Sequence, residues 1–298
     1  MIKEIQAKSI LNRSAHPSSW FGINYGMNIY RGCQHGCIYC DSRSACYQIA
    51  NFDGDIEIKV NAPELLEETL KRKRKRATIG TGAMSDPYMP IEKSYGLTRK
   101  CLEIIDRYEY RVHIGTKSNL ILRDLDVLER ISKRYASVAI TVTTTDDVLA
   151  KQMEPHAPSS SERLKAIGIL SEVGIHAGIL MMPQLPYIME TKEHITKIVE
   201  AAVFYKAKFI VPAFGVTIRD QQRDYYYERL KELENYKELP QKYQKRFGEA
   251  YSASCVNHKK MKETFFTLCK ENNISYNMPM YEKNLSSLAT QLSLFANE

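Results

Sequence analysis

A chain of 298 residues with 44% apolar and 26% charged side chains can bury one large core or two modest ones, which excludes a disordered or fibrous protein. No run of about 18 apolar residues occurs, and the start, MIKEIQAKSILNRS, has no apolar stretch of the signal-peptide kind, so no membrane span is expected and a cytoplasmic location is. Seven cysteines, an odd number with three in one cluster, argue there for metal binding or redox chemistry and against a disulfide framework, while the net charge of +7 permits a polyanionic partner without requiring one.

The first segment that carries chemistry is GCQHGCIYC, residues 32 to 40, which spaces Cys33, Cys37 and Cys40 as CxxxCxxC. A structural zinc site usually takes two cysteine pairs separated by a longer loop, and no second close pair exists here; His35, inside the loop, leaves a zinc site of three cysteines and one histidine open. Three thiolates on a short glycine-containing loop suit instead a cubane iron-sulfur cluster with one iron that lacks a protein ligand and can bind a small molecule. Gly32 and Gly36 let the backbone turn tightly. Cys46, beyond the loop, is expected as a small buried hydrophobe rather than a fourth ligand.

Next, NAPELLEETLKRKRKR reads as a helix with Pro63 in its first turn, acids early and bases late, as the helix dipole prefers. ATIGTGAMSDP follows as a short strand and loop, residues 98 to 109 as a helix, and YRVHIGTKS as a strand ending in Lys117. The alternation continues with a helix over 123–134, strand ASVAITVTTT, a helix over 161–173, strand IHAGILMMP, a helix over 191–206 and strand KFIVPAF. Such alternation predicts an α/β fold whose parallel sheet has right-handed crossovers. The run KRKRKR, residues 71 to 76, suits phosphate neutralisation, but at the end of a predicted helix a solvated face is the favoured account. From RDQQRDYYYERL onward tyrosines mix with bases, which fits either stacking on nucleic acid or amphipathic helices that pack tyrosines on the core.

The spacing of Cys33, Cys37 and Cys40, with Tyr39 just before the last cysteine, resembles the signature of the radical S-adenosylmethionine (SAM) superfamily. That resemblance implies a partial (β/α)6 barrel with a helical C-terminal extension: a core over 1–215, a C-terminal region over 216–288 packing on it, and a flexible tail over 289–298. It also implies a 4Fe-4S cluster on the three cysteines whose open iron chelates S-adenosyl-L-methionine, and an electron donor such as flavodoxin or ferredoxin. Reductive cleavage of the cofactor would give a 5′-deoxyadenosyl radical that abstracts hydrogen from substrate. Active-site residues of such barrels sit on the loops after the strands.

Three further segments, GTGAMSDPYMPIEKSYGLTR, GTKSNLILRDLDVL and TVTTTDDVLAKQMEPHAPSSSERL, are similar to successive strand-end segments of the spore photoproduct lyase-like (DNA repair photolyase-like) branch. Position by position, this resemblance implies that Tyr39 contacts the cofactor, and in the lyase that aromatic joins a radical relay. Ser85 matches a serine near the cofactor carboxylate. Lys117 matches a cofactor-contacting lysine whose ammonium suits a carboxylate, and Thr143 a cofactor-bonding serine, with Thr141 on the same strand face as the alternative. Two positions depart from the lyase: Ala83 stands where it has a hydrogen-donating cysteine, and Asp41 where it has a second relay tyrosine. The expectation is the same initiating radical without spore photoproduct reversal by the same route, with Cys255 and Cys101 as alternative donors that are more readily explained as buried core residues.

The expected substrate is DNA, such as a damaged base; the competing classes are a peptide, RNA or metabolite, and, last, a non-catalytic metal-binding protein. Gln291, Leu292, Ser293, Leu294 and Phe295 resemble the short motif by which bacterial replication and repair proteins bind the sliding clamp, the apolar residues entering a groove and the glutamine supplying a polar anchor. A weak, reversible tether to DNA is what that resemblance implies, against an amphipathic end docked on its own domain.

Overall fold

The computed structural model describes residues 1–282, so the clamp-like residues Gln291, Leu292, Leu294 and Phe295 lie outside the described residues. Twelve strands occur in these residues: β1 (Ile2–Ile5), β2 (Leu11–Arg13), β3 (Tyr25–Met27), β4 (Tyr30–Arg31), β5 (Ile56–Lys59), β6 (Thr78–Thr81), β7 (Arg111–Thr116), β8 (Ala136–Thr141), β9 (His176–Met181), β10 (Ile210–Pro212), β11 (Gly215–Thr217) and β12 (Ser252–Ser254). The main sheet runs β10-β9-β8-β7-β6-β3-β2. All neighbours from β3 to β10 are parallel, and only the edge strand β2 is antiparallel. Six parallel strands joined by helical crossovers make the partial (β/α)6 barrel that the sequence predicts. One of them, β3, has no sequence signal, being three residues, YGM, centred on a glycine.

The parallel strands form where both faces are covered: all six residues of β8, ASVAIT, are buried, as a sheet layered between helices and a barrel interior requires. The crossover helices are Ala62–Arg72, Leu97–Arg107, Leu125–Ser132, Ser160–Glu172 and Lys192–Phe204. Ser159 and Glu162 cap the fourth reciprocally, and the Thr191 side chain caps the fifth. One reading needs correction. The helix that begins at Ala62 stops at Arg72, and Lys73 is already extended at ψ 125°, so Lys73 to Arg76 are not a helix face. The last buried residue of that helix is Leu70, and beyond it the chain must turn back into β6. A short helix, Asp147–Met153, also follows β8, in a stretch for which the sequence predicts no element. Asp146 starts it by accepting hydrogen bonds from the Val148 and Leu149 amides at 2.8 and 3.1 Å.

A second sheet, β1-β5-β4, is the foot of the cysteine loop. The loop leaves β4 and returns through β5, and the pairing of Tyr30 with Ile58 and Arg31 with Glu57 closes its neck. After β10 come helices Asp220–Lys231 and Leu239–Phe247, bracketed by the antiparallel pair β11 and β12, and then helix His258–Glu271, which packs on Lys192–Phe204. Tyr226, Tyr227 and Tyr243 turn inward and pack edge to face. They are therefore core, not a stacking platform. The remaining described residues cross the amino ends of the strands: the Ser275 carbonyl accepts from the Ile210 amide at 2.8 Å, and the Tyr281 ring lies 3.8 Å from the Arg111 guanidinium. No helix of the described residues is long and apolar enough to cross a membrane.

Candidate functional site

The cysteine loop sits at the carboxyl end of the sheet, held there by backbone contacts. The Cys33 amide donates to Phe52 at 2.9 Å, Ile38 to Met153 at 3.0 Å, and His156 to the His35 carbonyl at 3.1 Å. Gly32 and Gly36 have φ of +83° and +68°, and a Cβ on Gly32 would lie 2.4 Å from the Asp55 carbonyl oxygen, so the turn requires glycine there. Cys33, Cys37 and Cys40 are free thiols. Cys46 is also free but exposed, which corrects the expectation of burial: it lies on a one-turn surface helix, Ala45–Tyr47, whose neighbour Ser44 is drawn to Asp220 at 2.7 Å.

Asp86, 8% exposed, ties three elements together. Its Oδ1 accepts from Thr116 Oγ1 at 2.7 Å and the Tyr88 amide at 2.8 Å, and its Oδ2 accepts from the Lys117 amide at 2.6 Å. His35 Nε2 lies 3.1 Å from Oδ2, so the residue that leaves a zinc site open faces this carboxylate instead. Burial opposes the charge, but His35 and the converging donors outweigh it and hold Asp86 at about 2. This one carboxylate fixes the cysteine loop, the loop after β6 that carries Ser85, and the end of β7 that carries Lys117.

Tyr39 is buried, and its hydroxyl donates to Glu154 Oε1. Glu154 forms an ion pair with Arg163 at 2.5 Å, and both are fully enclosed. Arg163 is satisfied further by the carbonyls of Pro158 and Thr141 at 2.8 and 2.9 Å. Burial alone would raise the Glu154 carboxyl; the Arg163 and Lys117 charges and the Tyr39 hydroxyl lower it below the usual range. Thr143 lies two residues past the end of β8, with Oγ1 3.4 Å from Glu154 Oε1 and its carbonyl accepting from Gln184 and facing His194. Lys117 Nζ is 5.7 Å from the centre of the Tyr39 ring. The structure thus gathers Tyr39, Lys117 and Thr143 around Glu154 and Arg163, two residues without a distinguishing sequence signal beyond being an acid and a base near a strand end.

From the other side the C-terminal helices clamp the loop. Gln222, fully buried, donates to the Tyr39 carbonyl at 3.1 Å, and Arg43 donates to the Cys37 carbonyl at 3.1 Å while lying 3.8 Å from the Tyr225 ring centre. Asp41 pairs with Arg219 at 2.7 Å. Cys255 and Cys101 are both buried in the main core, Cys255 donating to the Gln184 carbonyl at 3.3 Å. Inside the barrel, Gly26, Gly80, Ala83 and His113 border a cavity of about 280 Å3. Burial pushes His113 down to about 3, so it is neutral, with Nδ1 2.7 Å from Ser137 Oγ and its ring stacked on Phe21.

The residues fit the cluster and cofactor that the cysteine spacing implies. Burial raises all three thiols, Cys33 to about 12, so the thiolates need positive charge beside them, which bound iron would supply; the Lys117 charge acts in the same direction on Cys37 and Cys40. Ser85 Oγ is buried with no hydrogen-bond partner, and among the described residues Lys117 forms no ion pair. A ligand with a carboxylate and hydroxyls would satisfy both. Among the described residues no three His, Cys, Asp or Glu side chains gather as a site for a single metal ion.

The family model of the radical SAM superfamily matches residues 27–202. An uncharacterized protein of Methanocaldococcus jannaschii is 33% identical over 211 residues, covering 70% of this chain and 77% of its own. A protein of Pseudomonas phage M6 described as a radical SAM Nalpha-GlyT isomerase is 25% identical over 157 residues, 53% of this chain and 32% of that one. Among solved structures, a spore photoproduct lyase complexed with dinucleoside spore photoproduct is similar with a TM-score of 0.68 at 14% identity, over 94% of this chain and 81% of that one. A mutant of that lyase with bound AdoMet and dinucleoside spore photoproduct gives 0.67 at 13%, over 95% and 82%. At such identities the likeness is one of fold.

Proposed function

The chain belongs to the radical SAM superfamily, and we propose that it is a cytoplasmic enzyme that cleaves S-adenosylmethionine reductively at an open-site 4Fe-4S cluster and takes hydrogen from DNA. Cys33, Cys37 and Cys40 would hold the cluster, with Lys117, Ser85 and Thr143 around the cofactor. When bound, this pair supplies a one-electron cleavage of the sulfonium and a carbon radical able to abstract hydrogen, the electron coming from a donor such as flavodoxin or ferredoxin. The observation that carries the reading is the convergence of three free thiols, the Lys117 ammonium and the unpartnered Ser85 hydroxyl at the carboxyl ends of the parallel strands.

The chain's own groups act by position. Asp86 fixes the backbone of Lys117, so the ammonium stands ready for a carboxylate. Glu154, held ionised by Arg163, accepts a hydrogen bond from the Tyr39 hydroxyl and keeps that ring beside Lys117. The cavity lined by Ala83 and the neutral His113 gives a substrate group room inside the barrel. DNA as substrate is supported by the fold shared with a lyase bound to a dinucleoside photoproduct and by the clamp-like tail, which would tether the enzyme to DNA.

A second reading, a radical enzyme for a different substrate or an isomerisation, is favoured by one observation. Asp41 is committed to Arg219, and the cavity position that would need a hydrogen donor is Ala83, so the lyase's turnover step has no counterpart at either place. The test is anaerobic reconstitution with iron and sulfide, reduction, and measurement of 5′-deoxyadenosine with and without ultraviolet-damaged duplex DNA. Stimulation by damaged over intact DNA supports the first reading. Formation indifferent to DNA supports the second, and no formation from an intact cluster refutes both.

A further inference from the structure

The amino end of the sheet, opposite the cysteine loop, carries a second concentration of charge. Arg76, Arg111, Lys133 and Arg134 line a surface cavity of about 490 Å3 where β6, β7 and β8 begin, against two acids, Glu109 and Glu282. The run from Lys71 to Arg76 leads into it. Because the helix ends at Arg72, its dipole accounts for Lys71 and Arg72 only, and the next four bases lie beyond it, Lys73 extended and Lys75 in a bend. Lys71 pairs with Glu67 at 3.4 Å, but among the described residues none of the other five forms an ion pair. Nearby bases do find carboxylates: Arg107 pairs with Glu67 at 3.1 Å, and Arg130 and Arg134 with Asp106 at 2.7 and 2.5 Å.

Three of the unpaired cations nonetheless sit over aromatic rings. Lys73 lies 4.1 Å from the Tyr25 ring centre, Arg76 5.3 Å from that of Tyr110 and Arg111 3.8 Å from that of Tyr281. Cations held on aromatic faces lose less freedom when an anion binds. Tyr135, which lines the same cavity, has a buried hydroxyl with no partner. Successive like charges repel one another, and a row of phosphates relieves that repulsion.

The last described residues, Tyr281 and Glu282, border this cavity, and Gln291 follows nine positions later, within about 30 Å of extended chain. A duplex passing the cavity and a clamp encircling that duplex are both within reach of one molecule.

We infer that the amino-end face, centred on Arg74, Lys75, Arg76 and Lys133, is a docking surface for the phosphate backbone of duplex DNA, separate from the catalytic end. The choice of DNA rests on the clamp-like reading of the tail and not on the identity of the reacting substrate. Six residues of β7 or β8 separate the two ends by about 20 Å, so DNA held here leaves the mouth of the barrel free. Contacts to phosphates alone are independent of sequence and strongly salt-dependent.

The test is fluorescence anisotropy of the cluster-loaded protein with a short undamaged duplex across a salt series. Arg74→Glu/Lys75→Glu is the first variant and Lys133→Glu, on the other side of the cavity, the second. All three side chains are exposed, so melting temperature and basal 5′-deoxyadenosine formation should not change. The double variant is expected to bind about 10- to 100-fold more weakly, with the slope of log affinity against log salt reduced by about 2, and Lys133→Glu by about 1. Wild-type binding matched by both variants overturns the inference. So does the absence of duplex binding at low salt, or retention only by a structured RNA or by phosphatidylserine vesicles. Because undamaged duplex and direct binding are used, failure here is distinct from failure of DNA to stimulate cofactor cleavage.

Discussion

Replacing Asp86 by Asn tests the keystone of the site. The carboxylate is buried and accepts from Thr116, Tyr88 and Lys117 while facing His35, and these partners bring it from 3.8 to about 2. A displacement of just under two pH units corresponds to about 2.5 kcal/mol of folding free energy. Because the folded value lies below the unfolded one, that stabilisation is fully present above about pH 5 and is lost as pH falls through 4 towards 2. Urea unfolding of the apoprotein should therefore place Asp86→Asn about 2 to 3 kcal/mol below the wild type at pH 7, with the gap narrowing below about pH 4. The loop should loosen with it, so the variant should retain less iron through gel filtration after reconstitution. A gap under about 0.5 kcal/mol at pH 7, or one that stays constant into acid, would refute the assignment of this carboxylate as the tie between the loop, Ser85 and Lys117.

Three other outcomes are expected. Glu154→Gln, which strands the Arg163 charge, should cost about 3–5 kcal/mol in urea unfolding, and adding Arg163→Met should recover part of that loss; additive costs would disprove the coupling. Lys117→Met should keep the iron and sulfide content but weaken S-adenosylmethionine binding about 10- to 100-fold by equilibrium dialysis, and an unchanged affinity removes Lys117 from the cofactor site. Deleting residues 291–298 should abolish retention on immobilised sliding clamp while cofactor cleavage stays at its wild-type rate; retention by the truncated chain would reject the tail motif.

The parts of this protein legible in its sequence are those governed by local chemistry and short periods. Three thiols within eight positions state their own purpose, because a metal cluster needs its ligands on one short loop. Apolar strands alternating with amphipathic helices announce a parallel sheet, and a lysine at the end of such a strand falls at the carboxyl end, where ligands bind.

Tertiary structure alone decided the rest, because the contacts concerned join residues far apart in the chain and leave no period to read. His35 meets Asp86, Tyr39 meets Glu154, and Gln222 reaches the Tyr39 carbonyl only once the sheet and the C-terminal helices are assembled. The strand β3, three residues around a glycine, exists because β6 and β2 offer it partners, not because its own residues favour extension. The bases at 71–76 look like a helix end in one dimension, yet most of them are an unpaired row at the rim of the barrel, since the helix stops when its apolar face does. Composition and spacing determine which chemistry this chain can host, and packing determines which side chains stand close enough to shape it, since burial and distance set the electrostatics.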